Sequence, residues 1–334
     1  MTTLDLSRVA EAPLTEEETH HLFDDIFAGR LSQTQIMTYL AASAARSPTT
    51  GEITGAAGAM RAAMKSITAP ELAIDLCGTG GDGHGTLNIS TAVSFVVAAA
   101  GVPVAKHGNR SMSSKSGAAD ILEALGVKID LEPDSAQRVL NQVGLVFLFA
   151  QTYHPAMRHV SAARKAIGQR TIFNLLGPLA SPARVRRQLV GVFAEEWLTP
   201  YAEALRALGC ERAMVVHGAD GLDELTTTDV TNIANLENGV ITLSQVTPED
   251  AGLKRAKLAD LKGGDSEHNA QALRQLLSGK RGAYRDIVCL NASAALMVAG
   301  AASDIKSGVA ITSQVLDGGK ARAKLEELIT ASNT

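Results

Sequence analysis

Cysteine, aromatic residues and long apolar runs are all scarce in this chain, and each scarcity excludes a class of protein. Three cysteines, Cys77, Cys210 and Cys289, stand far apart with no Cys-x-x-Cys spacing, which argues against a zinc site and against a disulfide framework. Aromatics make up 4% of the 334 residues, although the apolar total is 46%. The core must therefore be built from Ala, Leu, Val and Ile, which suits helices packed tightly on a sheet. No run approaches the roughly 20 residues of a membrane span. The N-terminal stretch carries Asp5, Glu11, Glu16, Glu17 and Glu18 and no apolar segment of a secretory signal, so a cytoplasmic location is expected. There is also no broad excess of basic charge: the net charge is −4. The cations gather instead in short segments, Lys106, His107, Arg110 and Lys115 in one, Arg158, His159, Arg164, Lys165 and Arg170 in another, with Arg184, Arg186 and Arg187 soon after. Concentrated cations on an acidic chain suit a small anionic ligand better than a nucleic-acid backbone.

What the chain does have is glycine in one telling place. An apolar run from Leu72 enters Cys77-Gly78-Thr79-Gly80-Gly81-Asp82-Gly83, and Asn88-Ile89-Ser90-Thr91 opens the helix-like segment 92–100. Glycines let a backbone approach an oxyanion closely, and the N–H groups of such a loop and of a helix start supply donors for phosphate. A strand-to-helix turn with glycines for steric reasons alone is the plainer alternative. A second apolar run then leads into Lys106-His107-Gly108-Asn109-Arg110-Ser111-Met112-Ser113-Ser114-Lys115-Ser116-Gly117, dense in cations and hydroxyls for a connection that only turns the chain, though a solvated loop could carry them. Two such loops at the carboxyl ends of strands in one α/β sheet describe a polyphosphate site.

The length points to two subdomains. Residues 15–69 read as wholly helical: Thr15 precedes three glutamates, Leu22, Phe23, Ile26 and Phe27 recur at helical spacing, and further helix starts fall near Ser32 and Thr50-Gly51-Glu52. The Ala and Met residues of 53–64 read as helix interface. From Leu72, short apolar strands at 74–77, 102–105, 143–150, 188–193 and 213–217 are spaced by helices at 118–125, 134–143 and 198–208, the signature of a largely parallel sheet. The interval from His154 to Arg187 breaks that alternation, with a helix between Pro155 and Ile167 and a non-strand run 173–179, so the chain is expected to leave the sheet here and return to the N-terminal helices. A hairpin at Asn238-Gly239 and three helices from about Glu267 close the chain. The domains expected are 1–70, helical, with a returning segment near 165–187, and an α/β domain of 71–164 and 188–334. Gly221-Leu222-Asp223-Glu224-Leu225 follows the strand 213–217 at the sheet's ligand edge. Adjacent carboxylates there could address one or two metal ions; a solvated acidic turn is the other reading.

With the glycine loop, the loop 106–117, His154-Pro155-Ala156-Met157-Arg158 and the run 173–179 in view, the chain closely resembles the anthranilate phosphoribosyltransferases over almost its whole length. The resemblance implies a small all-helical domain and a larger α/β domain with a central, mostly parallel sheet, of the nucleoside phosphorylase/phosphoribosyltransferase kind. It also implies a cleft site between the domains, Mg2+, and a homodimer through the helical domains, with neither nucleic acid nor membrane as partner. The substrates implied are anthranilate and 5-phosphoribosyl 1-diphosphate. The diphosphate ligands implied are Gly78, Gly81, Asp82, Thr86, Asn88, Ile89, Ser90 and Thr91 on the first loop. On the second they are Lys106, His107, Gly108, Asn109, Arg110, Ser111, Met112, Ser113, Ser114 and Ala118. Magnesium would take Ser90, Asp223 and Glu224. Anthranilate would meet Gly78, Asn109, His107, His154 and Pro178, with Arg164 as the fork for its carboxylate; for the two histidines a purely structural hydrogen-bonding role stands as the alternative.

Displacing diphosphate from an anomeric carbon develops oxocarbenium character, so the leaving group needs charge neutralisation more than the neutral aromatic amine needs a base. No general base is assigned, and positioning is expected to carry the catalysis. Several positions depart from the family pattern: Leu87 where phenylalanine is common, Ala118 where serine is frequent, Ser181 for asparagine, Asp229-Val230 for Gly-Pro, and Gly319 where a serine-glycine order is usual. None removes a ligand group, and Ala118 would act through its backbone. Two rival readings are a pyrimidine nucleoside phosphorylase, which would not need the acidic pair, and a non-catalytic nucleic-acid-binding relative, which would carry basic charge on the helical domain.

Overall fold

The N-terminal helices are set by their caps. In a computed structural model, which describes residues 6–111 and 115–334, a short 3-10 turn precedes α1 (Glu16–Phe27), α2 (Gln33–Arg46) and α3 (Thr50–Ala63). Thr15, Ser32 and Thr49 each accept the N–H three residues on, and Glu18, Gln35 and Glu52 reach back to the cap. Each such box is worth about 0.5–2 kcal/mol. Helix ends at Ala63, so 64–69, expected as helix, runs irregularly to the sheet. Glu52 is wholly buried and takes a bidentate bond from Arg46 and a further one from the Leu14 N–H.

The rest of the chain builds one seven-stranded sheet. In order come β1 (Ile74–Leu76), α4 (Ile89–Ala99), β2 (Val104–Gly108), α5 (Ala118–Ala124), α6 (Pro133–Val143), β3 (Leu145–Phe149) and the single turn α7 (Ala150–Tyr153). A 3-10 turn Pro155–His159, α8 (Ser161–Ile167) and α9 (Phe173–Leu179) follow, then β4 (Arg187–Gly191), α10 (Leu198–Ala207), β5 (Arg212–Gly218) and the hairpin β6 (Thr231–Glu237) and β7 (Val240–Val246). The chain closes with α11 (Ser266–Leu277), α12 (Ala283–Ala299), α13 (Ile305–Asp317) and α14 (Lys320–Ser332). Strand order is β3-β2-β1-β4-β5-β6-β7, parallel through β5 and antiparallel beyond. The carboxyl ends of β1, β2, β4 and β5 therefore open on one edge.

Strand residues alternate between the two faces. Ala213 and Val215 join the apolar cluster that contains α1, α2, α3 and α10, whereas Val216 joins the cluster with α4, α12, α13 and α14. Residues 155–179 pack back on the N-terminal helices, with the Phe173 ring 5.4 Å from that of Phe23 and 6.4 Å from that of Phe27. The run 173–179, expected only as non-strand, is helical and tolerates Pro178 near its end. Two expectations need correction. The segment 155–167 is a 3-10 turn followed by a short helix rather than one helix. Four helices, not three, follow residue 266, because Gly318 and the left-handed Gly319 split the last stretch into α13 and α14. No helix among the described residues is long and apolar enough to cross a membrane.

Candidate active site

The glycine loop after β1 lies folded against two neighbouring loops. Gly80, Gly81, Gly83 and Gly85 all take positive φ, a conformation that L side chains resist. Gly78 is required for another reason: a Cβ there would stand 2.5 Å from an Asp223 carboxylate oxygen. Thr79 donates its N–H to the Gly191 carbonyl at 2.8 Å, and its hydroxyl accepts the Phe193 N–H at 3.1 Å. Arg170 donates to the Gly81 carbonyl while its guanidinium lies 4.3 Å from the centre of the Phe193 ring. From the far side, 261–263 hold Gly85 and Leu87 through backbone bonds, and Thr86 bridges to Lys262. Ile89 is buried at the start of α4, and Thr91 is buried with a hydroxyl that finds no partner among the described residues. Asn88 does not cap α4 with its side chain. It bonds the Ser116 carbonyl and accepts from Asn269 instead, tying the glycine loop to the serine-rich loop.

Lys106 and the acidic pair meet above this loop. The Lys106 ammonium, almost fully buried, donates to the Leu76 carbonyl at 2.5 Å and to the Ser90 hydroxyl at 3.2 Å. Asp223 accepts the Gly80 N–H at 2.8 Å. Burial raises the pKa of both carboxyls; Asp82 next to Asp223, and Asp223 next to Glu224, push in the same direction, opposed for Glu224 by the Lys106 charge. Carboxylates so crowded favour a bound cation. The donors are all hard oxygens, and no cluster of three or more His, Cys, Asp or Glu side chains forms a closed metal cage among the described residues. That fits magnesium, which takes one or two carboxylates and completes its shell with water and phosphate. Glu224 and Ser90 line one small hollow together with Gly78 and Gly191. A roomier hollow of about 460 Å³ lies apart, behind Arg110 and Phe149; the converging donors, not the volume, identify the site.

The serine-rich loop is stapled at both ends by Asp120, which accepts the N–H groups of Ser111 and Gly117. A Cβ on Gly117 would meet the Ser111 nitrogen at 2.3 Å, so glycine lets the loop close on itself. Gly108 ends β2 and Ala118 starts α5. Asn109 is exposed and accepts the Arg110 N–H. The Arg110 guanidinium turns to Asp120 and Glu123, with the Phe149 ring 5.5 Å away, and not toward the glycine loop. Met112, Ser113 and Ser114 lie outside the described residues.

Arg164 is half-buried on α8, its guanidinium 5.3 Å from the Phe173 ring centre, and burial lowers its pKa. Arg158 and Lys165 are exposed. His107 and His154 are both buried, ring centres 5.1 Å apart. His107 shares a 3.1 Å bond through Nδ1 with the Gly177 carbonyl. Burial pushes its pKa well down, and His154 is pushed to about 4 for the same reason, so both imidazoles are neutral at pH 7. Pro178 is buried beside them, its carbonyl accepting from Gln188.

Comparison with known proteins now decides the family. Residues 8–64 match the model described as the glycosyl transferase family helical bundle domain, and 71–322 match the α/β domain of that family. The chain is 53% identical to an anthranilate phosphoribosyltransferase of Xanthobacter autotrophicus, over 98% of this chain and 95% of that one. The crystal structure of the Thermus thermophilus enzyme superposes with a TM-score of 0.94 at 42% identity, covering 98% of this chain and 99% of that one. A Saccharomyces cerevisiae relative solved with PRPP and Mg gives 0.89 at 26% identity, over 96% and 94%. The chain belongs to the anthranilate phosphoribosyltransferase family.

Within this family fold, several residues that hold the site were invisible to sequence reasoning. Arg170 was legible only as part of a basic cluster. Asn269 and Tyr284, which bond the Asn88 side chain and carbonyl, come from α11 and α12, about 180 to 200 residues on. Asp75, wholly buried in β1, accepts the His107 N–H at 3.0 Å. A carboxylate inside an apolar strand was the one available signal, since such a group needs partners.

Proposed function

We propose that this chain carries out the reaction for which its family is named. It transfers the phosphoribosyl group of 5-phosphoribosyl 1-diphosphate to the amine of anthranilate, giving N-(5-phosphoribosyl)anthranilate and diphosphate in tryptophan biosynthesis. The observation that carries this reading is the convergence of Lys106 on Ser90 and of Asp223 on the Gly80 N–H at the carboxyl edge of the sheet. The glycine-loop and α4 N–H groups receive the diphosphate, and Lys106 adds a point charge. Asp223, Glu224 and Ser90 would hold magnesium, which supplies charge neutralisation to the leaving diphosphate. The Arg164 guanidinium orients the anthranilate carboxylate, and Asn109 lies between the two substrates. His107, His154 and Pro178 wall the aromatic-acid side. The aromatic amine is already neutral, so its lone pair attacks without prior deprotonation; the proton the nitrogen carries after attack passes to the departing diphosphate or to water, the low-pKa histidines being weak acceptors for it. Rate enhancement comes from alignment of the amine with the anomeric carbon.

The domain division expected from sequence, 1–70 with a returning segment near 165–187, is part of this proposal, as are a homodimer through the helical domain and a cytoplasmic location. The complex of the yeast relative with PRPP and Mg supports the choice of substrate and ion. The deciding experiment follows the loss of anthranilate fluorescence on adding phosphoribosyl diphosphate and magnesium. Magnesium-dependent loss is expected. Phosphorolysis of a pyrimidine nucleoside with no loss of anthranilate would favour the nucleoside phosphorylase instead.

A further inference from the structure

We propose that Asn291, at the middle of α12, is a positioning residue that sets where the acidic pair stands; this rests on the reading of the site given above. Asn291 is wholly buried in a helix that otherwise presents mostly apolar side chains to the sheet. Its side-chain amide closes a two-way pair with one backbone residue. The Leu225 N–H donates to Oδ1 at 2.9 Å, and Nδ2 donates to the Leu225 carbonyl at 2.8 Å. The other Nδ2 hydrogen goes to the Ile287 carbonyl, one turn back in α12, at 2.9 Å. Both donor hydrogens are thus used, and two of the three bonds fall on the residue directly after Glu224.

Leu225 lies between β5 and β6, outside any strand, so Asn291 gives its backbone what a neighbouring strand would otherwise give. The opposite side of the loop is held by the Gly80 bond to Asp223 and by close approach: a Cβ on Gly191 would stand 1.5 Å from the Asp223 carbonyl oxygen. Asn291 lines the same small hollow as Glu224 and Ser90. It acts through Glu224 by fixing the peptide from which that side chain projects. Loss of an outer group that holds a metal ligand in place typically lowers metal affinity by about 10- to 100-fold.

Asn291→Ser separates the clamp from the helix. A serine in mid-helix can bond the carbonyl four residues back, replacing the contact with Ile287, but it is too short to reach Leu225. The experiment titrates phosphoribosyl diphosphate into the full-length protein by calorimetry across a magnesium series. The magnesium concentration at half-maximal binding is expected to rise about tenfold or more, with kcat falling and the KM for anthranilate nearly unchanged. Asn291→Thr, which fills more of the vacated space, is read in the same way if the serine variant does not fold. A lowered melting temperature with an unchanged magnesium midpoint would overturn the proposal, because a merely structural residue behaves so. Failure of both variants to fold would overturn it as well. If the unmodified chain bound phosphoribosyl diphosphate regardless of magnesium, the reading of the site itself would fall, an outcome distinct from either.

Discussion

Strand β1 has two unlike flanks. Toward β4 it is zipped by backbone: Ile74, Asp75 and Leu76 pair in register with Arg187, Gln188 and Leu189, and the bonding continues through Cys77 and Thr79 to Leu189 and Gly191. Toward β2 the register is a single pair, Ile74 with Val104. Beyond it side chains replace the ladder, with the Asp75 carboxylate accepting the His107 N–H and the Lys106 ammonium capping the Leu76 carbonyl. A flank stitched by charged side chains brings an ammonium to the sheet edge with its desolvation partly offset by those same bonds. A zipped flank gives rigidity, and the acidic loop leans on it through Gly78, Gly80 and Gly191.

The comparison breaks most severely at the acidic loop. Exchanging Asp223 for Asn together with Glu224 for Gln keeps size and removes charge. Turnover is expected to fall by about three orders of magnitude, as loss of about 4 kcal/mol of charge stabilisation implies. Excess magnesium should restore part of it in a steady-state assay, and full activity at low magnesium would refute the assignment. On the stitched flank, Lys106→Met removes a point charge and leaves the Leu76 carbonyl without its donor. Affinity for phosphoribosyl diphosphate by calorimetry should drop by about 10- to 100-fold, with a lower melting temperature. Unchanged affinity would make Lys106 a ladder substitute and no more.

Arg164 belongs to neither flank and so serves as the contrast. Arg164→Ala should raise the KM for anthranilate by about 10- to 100-fold, equivalent to roughly 1.5–3 kcal/mol for a charge-assisted fork, and hardly move that for phosphoribosyl diphosphate. Equal rises in both would assign it to packing.

The smallest effect on activity, and the sharpest on the stitched flank, is one of pH. Burial pushes the Asp75 pKa up to about 6, against the opposing Lys106 charge and the amide donors of His107 and Leu76. The unfolded chain loses this proton near pH 4, while the folded chain keeps it until about 6. Stability from this group is therefore present below pH 4, declines as pH rises to about 6, and levels off above, for a total of up to about 3 kcal/mol. In Asp75→Asn that decline is absent. Urea unfolding at pH 4.5 and pH 7 should show the variant gaining on the parent with rising pH; parallel profiles would mean that Asp75 is ionised throughout.

Signals that act within a turn were legible from sequence. Thr15 and Ser32 cap the helices they were expected to start, Thr49 caps the helix expected near Thr50, and Asn238-Gly239, both at positive φ, make the hairpin. The glycine loop and the Asp223-Glu224 pair stood out because their residue types are ones that core packing does not demand. Arg110 shows the limit: it sits in the densest basic segment, yet its side chain is spent on Asp120 and Glu123. Nothing local distinguishes a cation that faces a ligand from one that faces the next helix.

Caps, turns and apolar spacing act over a few residues, so the starts of the capped N-terminal helices, the hairpin turn and the donor-rich loops were already written in the residue order. Tertiary structure decided which groups meet. The Gly80 N–H reaches Asp223 across 143 residues and Leu225 reaches Asn291 across 66; Asp75 finds the His107 N–H across 32. Those pairings depend on how β1 seats between β2 and β4 and how α12 docks under β5. That docking is driven by apolar burial, which has no direction of its own, so the placement of each polar group emerges only when the whole sheet and its helices close.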